Sequence, residues 1–591
     1  MADRGALPRE TRAFIVLIAL LQGLLLWLAK TGQDHHWWPL SELGGRICWY
    51  TLVLGVPGMM ALTVVRLRDR RYWQHAVLVA AILSLLAAWA VWSATGAPGL
   101  QSAAVLGPYG FTSVLALFVA LPWLQCRLQH GRWCAPYADL FEYAWQNALT
   151  LLLMIAFVGI CWGVLTLWQA LFALVGIEFF KDLFRQPAFV YLATGGMAGL
   201  GILIGRTQHR PIRIARQIVL AIFTGLLPLL TFIALLFAIS LPFTGLQPLW
   251  NTRSASAILM MLIGTIIVFT NAVYQNGLHA PAYPVWLRHL IGAGLLILPI
   301  YAAIASCALY LRIHQYGWTQ DRYWASITCL VLAGYACGYA YAAVRSQGHW
   351  LAPLRPINVA LSLVVIALVI ASNSLLLDPN RLSVNDQLAR WADGRTDAKH
   401  LDLEHLRFDS GRRGYLATRS LRDDARVRAD AGLSTELAKV LQRQQPYAWM
   451  SPEEKRGNAV TTTQQLATIV RPATGSPEPS EALLQALLES DAASTECRQT
   501  GDDCIYIARD IDGDGSIDAL ICNMANSCAI TCQVWDDSKA RWHAAARYQW
   551  YCGAKKSTDF HYALRAGVVT QVPRRWPDLK VADETAKPQS K

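Results

Sequence analysis

Charge is scarce in this chain: Lys, Arg, Asp and Glu make up only 16% of its 591 residues, against 54% hydrophobic residues. Soluble domains carry about 25% charged residues, so a wholly soluble fold is excluded and a large part of the chain must face lipid. Inside the longest apolar runs the scarcity becomes absence. Their centres hold Gln22, Asn147 and Asn271 but no Asp, Glu, Lys or Arg. Ion-coupled carriers and proton pumps keep ionisable groups at mid-membrane, so this lack argues against that class. Backbone carbonyls at helix breaks, near Pro228 and Pro299, are the remaining way to hold an ion there. Catalytic signatures are missing as well: no G-x-x-x-x-G-K-[ST] loop, no H-E-x-x-H helix and no G-x-S-x-G elbow. The expectation is a protein that is not an enzyme.

What the chain does have is eleven apolar runs, near 13–30, 47–66, 75–95, 103–125, 146–172, 187–205, 217–241, 256–275, 287–310, 323–344 and 357–377. Each is about the 20 residues that cross a bilayer core in helix. The first, Ala13–Ala29, is too long for a signal-peptide core and ends in Lys30-Thr31-Gly32, which reads as a retained span. The last, Ile357–Leu377, carries no charge and gives way at Asp378-Pro379-Asn380 to a polar sequence with no further run of that length. Basic residues collect in alternate loops: Arg4, Arg9 and Arg12; Arg66, Arg68, Arg70 and Arg71; Arg206, Arg210, Arg213 and Arg216. By the positive-inside rule these lie in the cytoplasm, and an odd number of spans puts residues 378–591 on the other side. Because the basic residues sit in such loops, the net charge of +12 reflects topology, and no nucleic-acid partner is expected; the lipid bilayer is.

Cysteine divides the chain in the same place. Cys48, Cys126, Cys134, Cys161, Cys307, Cys329 and Cys337 are scattered among the apolar runs, where a thiol behaves as a small hydrophobe. Cys497, Cys504, Cys522, Cys528, Cys532 and Cys552 are clustered in a polar region and read as disulfides of an oxidising compartment, with 15 pairings open. Zinc is disfavoured because no Cys-x-x-Cys pair is present in the cluster. Between these cysteines runs Asp510-Ile511-Asp512-Gly513-Asp514-Gly515-Ser516-Ile517-Asp518. Alternating carboxylates with a glycine for the sharp turn wrap oxygen ligands round a hard cation. Ile521 stands where an EF-hand has its bidentate glutamate, and Ile505-Tyr506-Ile507 and Ala519-Leu520-Ile521 favour strands on either side. The loop resembles the D-x-D-G-D-G-x-x-D calcium loops at strand turns of extracellular repeat proteins. Asp510, Asp512, Asp514 and Asp518, with the Ser516 carbonyl, are the expected ligands of a structural calcium ion.

Three stretches carry a family resemblance: Leu167 to Phe180 (LWQALFALVGIEFF), Arg312 to Trp324 (RIHQYGWTQDRYW) and Leu406 to Gly414 (LRFDSGRRG). They resemble a bacterial family of multi-pass inner-membrane proteins catalogued as domain of unknown function 4153, over about residues 10–440. The resemblance implies a bacterial inner-membrane protein with no established activity; the cysteine-rich tail looks like an addition to it.

The small residues Gly195, Gly199 and Gly201, with Gly205, let helices approach closely. Tyr335 and Tyr339 share a helix face and need hydroxyl partners in apolar surroundings. Glu178 to Arg185 reads as a short interfacial helix. Beyond the last span, Ser383 or Asn385 would cap a polar helix, and Arg407, Asp409, Arg412 and Arg413 read as a solvated face. The expected organisation is a transmembrane domain over 1–377, a polar helical juxtamembrane region over 378–449, a linker over 450–480 and a cysteine-rich external module over 481–591. The fold class is an all-α polytopic membrane domain with about eleven transmembrane helices and a small disulfide-rich, mainly β, C-terminal external module. The function expected is docking or sensing of a periplasmic or envelope partner by that module. The alternatives are a transporter or channel with a cavity among the helices, and an envelope lipid- or polymer-modifying transferase.

Overall fold

The computed structural model describes residues 7–133, 135–252, 254–277, 283–345, 350–397, 401–446, 460, 462–490, 497, 504–524, 529–537, 541–551, 563–569, 579–581 and 584–586. The chain forms two compact units, Met1–Gln445 and Pro446–Lys591.

A backbone in lipid must satisfy its own polar groups, so apolar runs of this length become helices. The first unit holds α1 (Arg9–Asp34), α2 (Leu43–Thr63), α3 (Arg70–Ala94), α4 (Ser102–His130), α5 (Tyr137–Leu174), α6 (Phe179–Arg185), α7 (Pro187–Thr207), α8 (His209–Thr244), α9 (Gln247–Asn251), α10 (Ala255–Tyr274), α11 (Val285–Tyr316), α12 (Gln320–Val344) and α13 (Leu354–Ser372). Eleven of these, all but α6 and α9, are long and apolar enough to cross a membrane, in agreement with the eleven runs of the sequence. Their outward faces are apolar and exposed, as at Leu17, Ile155, Ile160 and Met261, which suits lipid and not water. Two cores organise the bundle. One gathers Ile15, Met59, Tyr72, Leu83, Leu121 and Ile202 from α1–α4 and α7. The other gathers Leu227, Leu259, Ile263, Leu295, Tyr301 and Tyr339 from α8 and α10–α12.

The small residues work as spacers between helices. A Cβ on Gly195 would lie 2.6 Å from the Ala19 carbonyl oxygen of α1, and one on Gly205 would lie 2.7 Å from Thr150 Cγ2 of α5. The helices containing Pro228 and Pro299 run on unbroken, so neither proline opens an ion site of the kind considered above. Proline at position i frees the carbonyl at i−4, and side chains take these up. Tyr283 donates to the Thr224 oxygen freed by Pro228 (2.8 Å), and Gln22 Nε2 donates to the Val53 oxygen freed by Pro57 (3.0 Å). Two further sets of polar groups inside the spans pair across helices. Gln125 and Asn147 exchange two amide bonds of 3.1 and 2.9 Å. Asn358 donates to Asn271 (3.1 Å) and accepts from the Tyr339 hydroxyl (3.0 Å), so Tyr339 bonds a neighbouring helix.

After α13 follow α14 (Pro379–Ala392), a π-helical turn (His405–Asp409), α15 (Gly411–Ser420), α16 (Ala425–Ala429) and α17 (Ala431–Gln442). They close over their own core of Trp391, Leu406, Phe408, Leu421 and Leu437.

The second unit contains α18 (Thr463–Ile469), α19 (Glu481–Glu489) and a five-stranded sheet in sequential order: β1 (Val470–Pro472), β2 (Cys504–Arg509), β3 (Asp518–Asn523), β4 (Ala529–Asp536) and β5 (His543–Tyr551). Only β1 runs parallel to its neighbour; the rest is an antiparallel meander. A short ribbon of β6 (Leu579–Val581) and β7 (Glu584–Ala586) follows. The stretch expected as a linker over 450–480 is therefore structured in its later part. Val470 is buried in the module core, and Ala508 N donates to Ser476 Oγ (3.1 Å). Its turn-forming Pro, Gly and Ser residues serve the βα connection from β1 to α19.

Candidate functional site

The signature stretches fold into two places. Leu167 to Phe180 closes the end of α5 onto α6: Trp168 packs against Phe180, with ring centroids 5.2 Å apart, and Phe180 against Phe172 at 4.7 Å. Gly176, at φ +79°, makes the turn between them, and Lys181 pairs with Glu178 at 3.6 Å. The other two stretches meet around Asp378, at the bundle end that carries the α3–α4 loop. Asp378 caps α14 by accepting from Asn380 N (2.9 Å), with Pro379 at the first helical position. The cap is thus Asp378 and not Ser383 or Asn385. Ser383 instead donates to the Trp318 carbonyl (3.1 Å).

Asp386 of α14 accepts from Trp318 N (2.7 Å) and from Arg390 Nε (3.2 Å), and Arg390 Nη2 donates to the carbonyls of Ile313 and His314 (2.9 and 2.6 Å). Gly317 sits at φ +77°, and a Cβ there would fall 2.7 Å from Asp386 Oδ2. On the other side of α14, Gln320 bonds Asn380, which donates to Ser93 Oγ (3.0 Å). The LRFDSGRRG stretch locks onto the same place. Arg413 Nε donates to Asp378 Oδ2 (2.7 Å), whose side chain is fully buried. Arg412 and Arg413 lie over the Trp92 ring at 5.4 and 4.7 Å.

Arg407 is fully buried, donates to the Pro98 carbonyl (2.5 Å), and stacks on Phe408 and Tyr415. Burial lowers its guanidinium below its ordinary pKa. Gly411 and Gly414 allow the approach: a Cβ on Gly414 would meet the Leu406 carbonyl at 2.0 Å. Of the cluster expected as a solvated face, Arg407 is therefore buried against the α3–α4 loop and Arg412 and Arg413 are half-buried over Trp92 of α3, while Asp409 stays largely open. That loop offers bare carbonyls and no charge of its own, which is why the sequence of the cluster alone does not reveal its partner.

The acid loop lies in the second unit, at the turn between β2 and β3. Gly513 and Gly515, at φ +85° and +89°, fold it back on itself. One oxygen from each of Asp510, Asp512 and Asp514 falls within 4.8 Å of the others. Asp510 accepts from Gly513 N and Gly515 N (2.7 and 3.0 Å), and Asp512 from Asp514 N (3.1 Å). Ser516 turns its hydroxyl to Asp514 Oδ1 (2.6 Å), and its bonds hold that carboxyl below the usual pKa. Asp518 stands apart from the three. It is buried and accepts from Ile511 N (2.8 Å), and burial, the larger influence, raises its pKa. Asp536 at the end of β4 borders the same hollow of about 630 Å³ with Asp512, Asp518 and Tyr548. Sequence reading missed Asp536, since only the β3–β4 pairing brings it there. The donors are all oxygen, which fits a hard cation.

Four of the six clustered cysteines are joined, Cys497 to Cys504 and Cys522 to Cys532. Cys528 and Cys552, like Cys134 in the bundle, lie outside the described residues. Cys48, Cys126, Cys161, Cys307, Cys329 and Cys337 take no part in a disulfide among the described residues.

Comparison with known proteins gives one match. No curated protein and no solved structure is significantly similar. The profile of a family described as "Domain of unknown function (DUF4153)" matches residues 51–411, more than half of the chain. That match holds the first two signature stretches whole and ends at Gly411 inside the third, a narrower span than the 10–440 suggested by the resemblance. The chain is a multi-pass membrane protein with a disulfide-bonded β unit at its C-terminal side, and it belongs to the DUF4153 family.

Proposed function

We propose that this is a protein of the bacterial inner membrane that anchors its C-terminal unit on the periplasmic side, where that unit docks or senses an envelope partner. Calcium at the acid loop, held by Asp510, Asp512, Asp514, Asp518 and the Ser516 carbonyl, is its structural ion. The observation that supports this reading best is the pair of disulfides in a unit that follows an odd number of spans. Disulfides persist in oxidising compartments, and the basic loops favour the opposite side for the N-terminus. A coupled carrier is less well supported, because the mid-span polar groups Gln22, Asn147 and Asn271 are occupied by bonds within the bundle.

The test is labelling of spheroplasts with a membrane-impermeant thiol reagent, using Glu478→Cys in an exposed segment and the unaltered protein as background. Labelling before lysis is the expected result; protection until lysis would place the unit in the cytoplasm and remove the reading. Docking is then tested by a photo-crosslinker in place of the exposed Ile517. A discrete adduct in intact cells that is lost on chelation is expected, and its absence at that site counts against docking through the acid-loop face.

A further inference from the structure

The bundle carries a cavity at the opposite end from Asp378, where α1, α3 and α5 begin and α2, α4 and α7 finish. Its volume of about 590 Å³ is that of a small-molecule pocket, and its wall is about as polar as it is apolar. Three guanidinium groups border it, Arg12, Arg66 and Arg206, against one carboxylate, Asp69. Asp69 is engaged as the cap of α3, accepting from Arg71 N (2.9 Å).

None of the three arginines has a carboxylate within 4.0 Å among the described residues. Arg206 is fixed by the carbonyls at the end of α2, donating to Ala61 O (2.8 Å) and Val64 O (2.5 Å). Those carbonyls are the negative end of a helix dipole, so they orient the group but leave its full charge without a counter-ion. The group is part-buried and borders the cavity, which has room for that ion.

Beside the arginines the Gln125–Asn147 amide pair completes a polar wall, while Leu62 and Leu128 supply an apolar one.

From this juxtaposition we infer that the cavity binds a phosphate-bearing anion, its oxygens taken by Arg66, Arg12 and Arg206. The guanidinium fork suits phosphate. The cavity lies among helix ends, the level of lipid headgroups, so an anionic phospholipid entering by its headgroup and a soluble phosphate share the same recognition. The inference is independent of which side of the membrane this end faces.

The full chain in phosphatidylcholine nanodiscs provides the test. Thermal unfolding is followed with and without added phosphatidylglycerol and, separately, with glycerol 3-phosphate or inorganic phosphate in the buffer. A rise in melting temperature with phosphatidylglycerol alone identifies a lipid ligand; a rise with the soluble phosphates identifies a soluble one. No rise in either arm overturns the site. Arg66 is exposed and its side chain makes no hydrogen bond or ion pair among the described residues, so Arg66→Gln is expected to fold normally and to weaken binding about tenfold, the loss of one charged contact. An unchanged affinity overturns the assignment of that residue and with it the cavity.

Discussion

The bundle end around Asp378 and the acid loop of the C-terminal unit are both dense in charge, and they differ in how the charge is balanced. Around Asp378 the signs alternate and the carboxylates meet guanidinium groups, Asp378 with Arg413 and Asp386 with Arg390, while Arg407 has carbonyl acceptors and two aromatic rings. The acid loop has one sign only. Its three clustered carboxylates are answered by backbone N–H groups, which are dipoles and leave the negative charge in place. A cluster that closes on itself holds a fold together; one that keeps a surplus has the charge to hold a cation. By this measure the motif end is architecture. It fastens the juxtamembrane helices to the α3–α4 and α11–α12 turns of the bundle.

The largest effect should follow from opening the closed cluster. Arg413→Ala leaves the fully buried Asp378 carboxylate without its partner. Removing one member of a buried pair costs about 3–5 kcal/mol, enough to release α14 and α15 from the bundle. Thermal unfolding of the full chain in nanodiscs, with limited proteolysis after residue 378, is the measurement. Arg413→Ala combined with Asp378→Asn should recover part of the loss, because the double variant carries no unpaired charge. A single variant as stable as the parent would show that the cluster is solvated, and the contrast with the acid loop would fail.

Filling the surplus cluster should come next. Calcium at a hundredfold excess over its dissociation constant stabilises the bound state by about 2.7 kcal/mol. Millimolar calcium should therefore raise the unfolding temperature of the C-terminal unit, and Asp512→Asn or Asp514→Asn should remove most of the rise. Magnesium, which demands octahedral geometry, should do less. Equal stability in calcium and in chelator would mean that the backbone donors alone hold the loop.

How far these features could be read beforehand follows from the range of the forces involved. The eleven spans were legible because an apolar run of bilayer length has one way to satisfy its backbone in lipid. The strands flanking the acid loop were legible from β-branched residues on either side of a glycine turn. Pairings across the fold were not. Cys522 joins Cys532 because the register of β3 on β4 places them opposite each other, and register is not written in cysteine spacing. Asp536 reaches the acid loop through the same pairing. The burial of Arg407 was hidden because its partner is a carbonyl, and every residue has one. Of the inner cavity only Asn147 and the arginines were visible, and the arginines were read as topology signals. Their convergence on one cavity came only with the fold.

The smallest effect tests the closed cluster at its edge. His405, half-buried at the start of the π-helical turn, lies 3.6 Å from the carboxylate of Asp409. Asp409, foremost, and then Asp402 and Asp321 raise its pKa above the ordinary value, while burial opposes them. The folded state therefore holds the imidazolium proton more tightly than the unfolded state does. The stabilisation is fully present below the unfolded pKa of about 6.5 and is lost as pH rises through the folded value. An ion pair this accessible contributes under about 1 kcal/mol, so the expected signature is a shallow fall in stability of the juxtamembrane helices from acid to mildly alkaline pH. His405→Gln should flatten the profile. Asp409→Asn should flatten it only in part, since Asp402 and Asp321 remain. A profile that rises with pH in the parent would mean that desolvation dominates at His405 and that the edge of the cluster is dry.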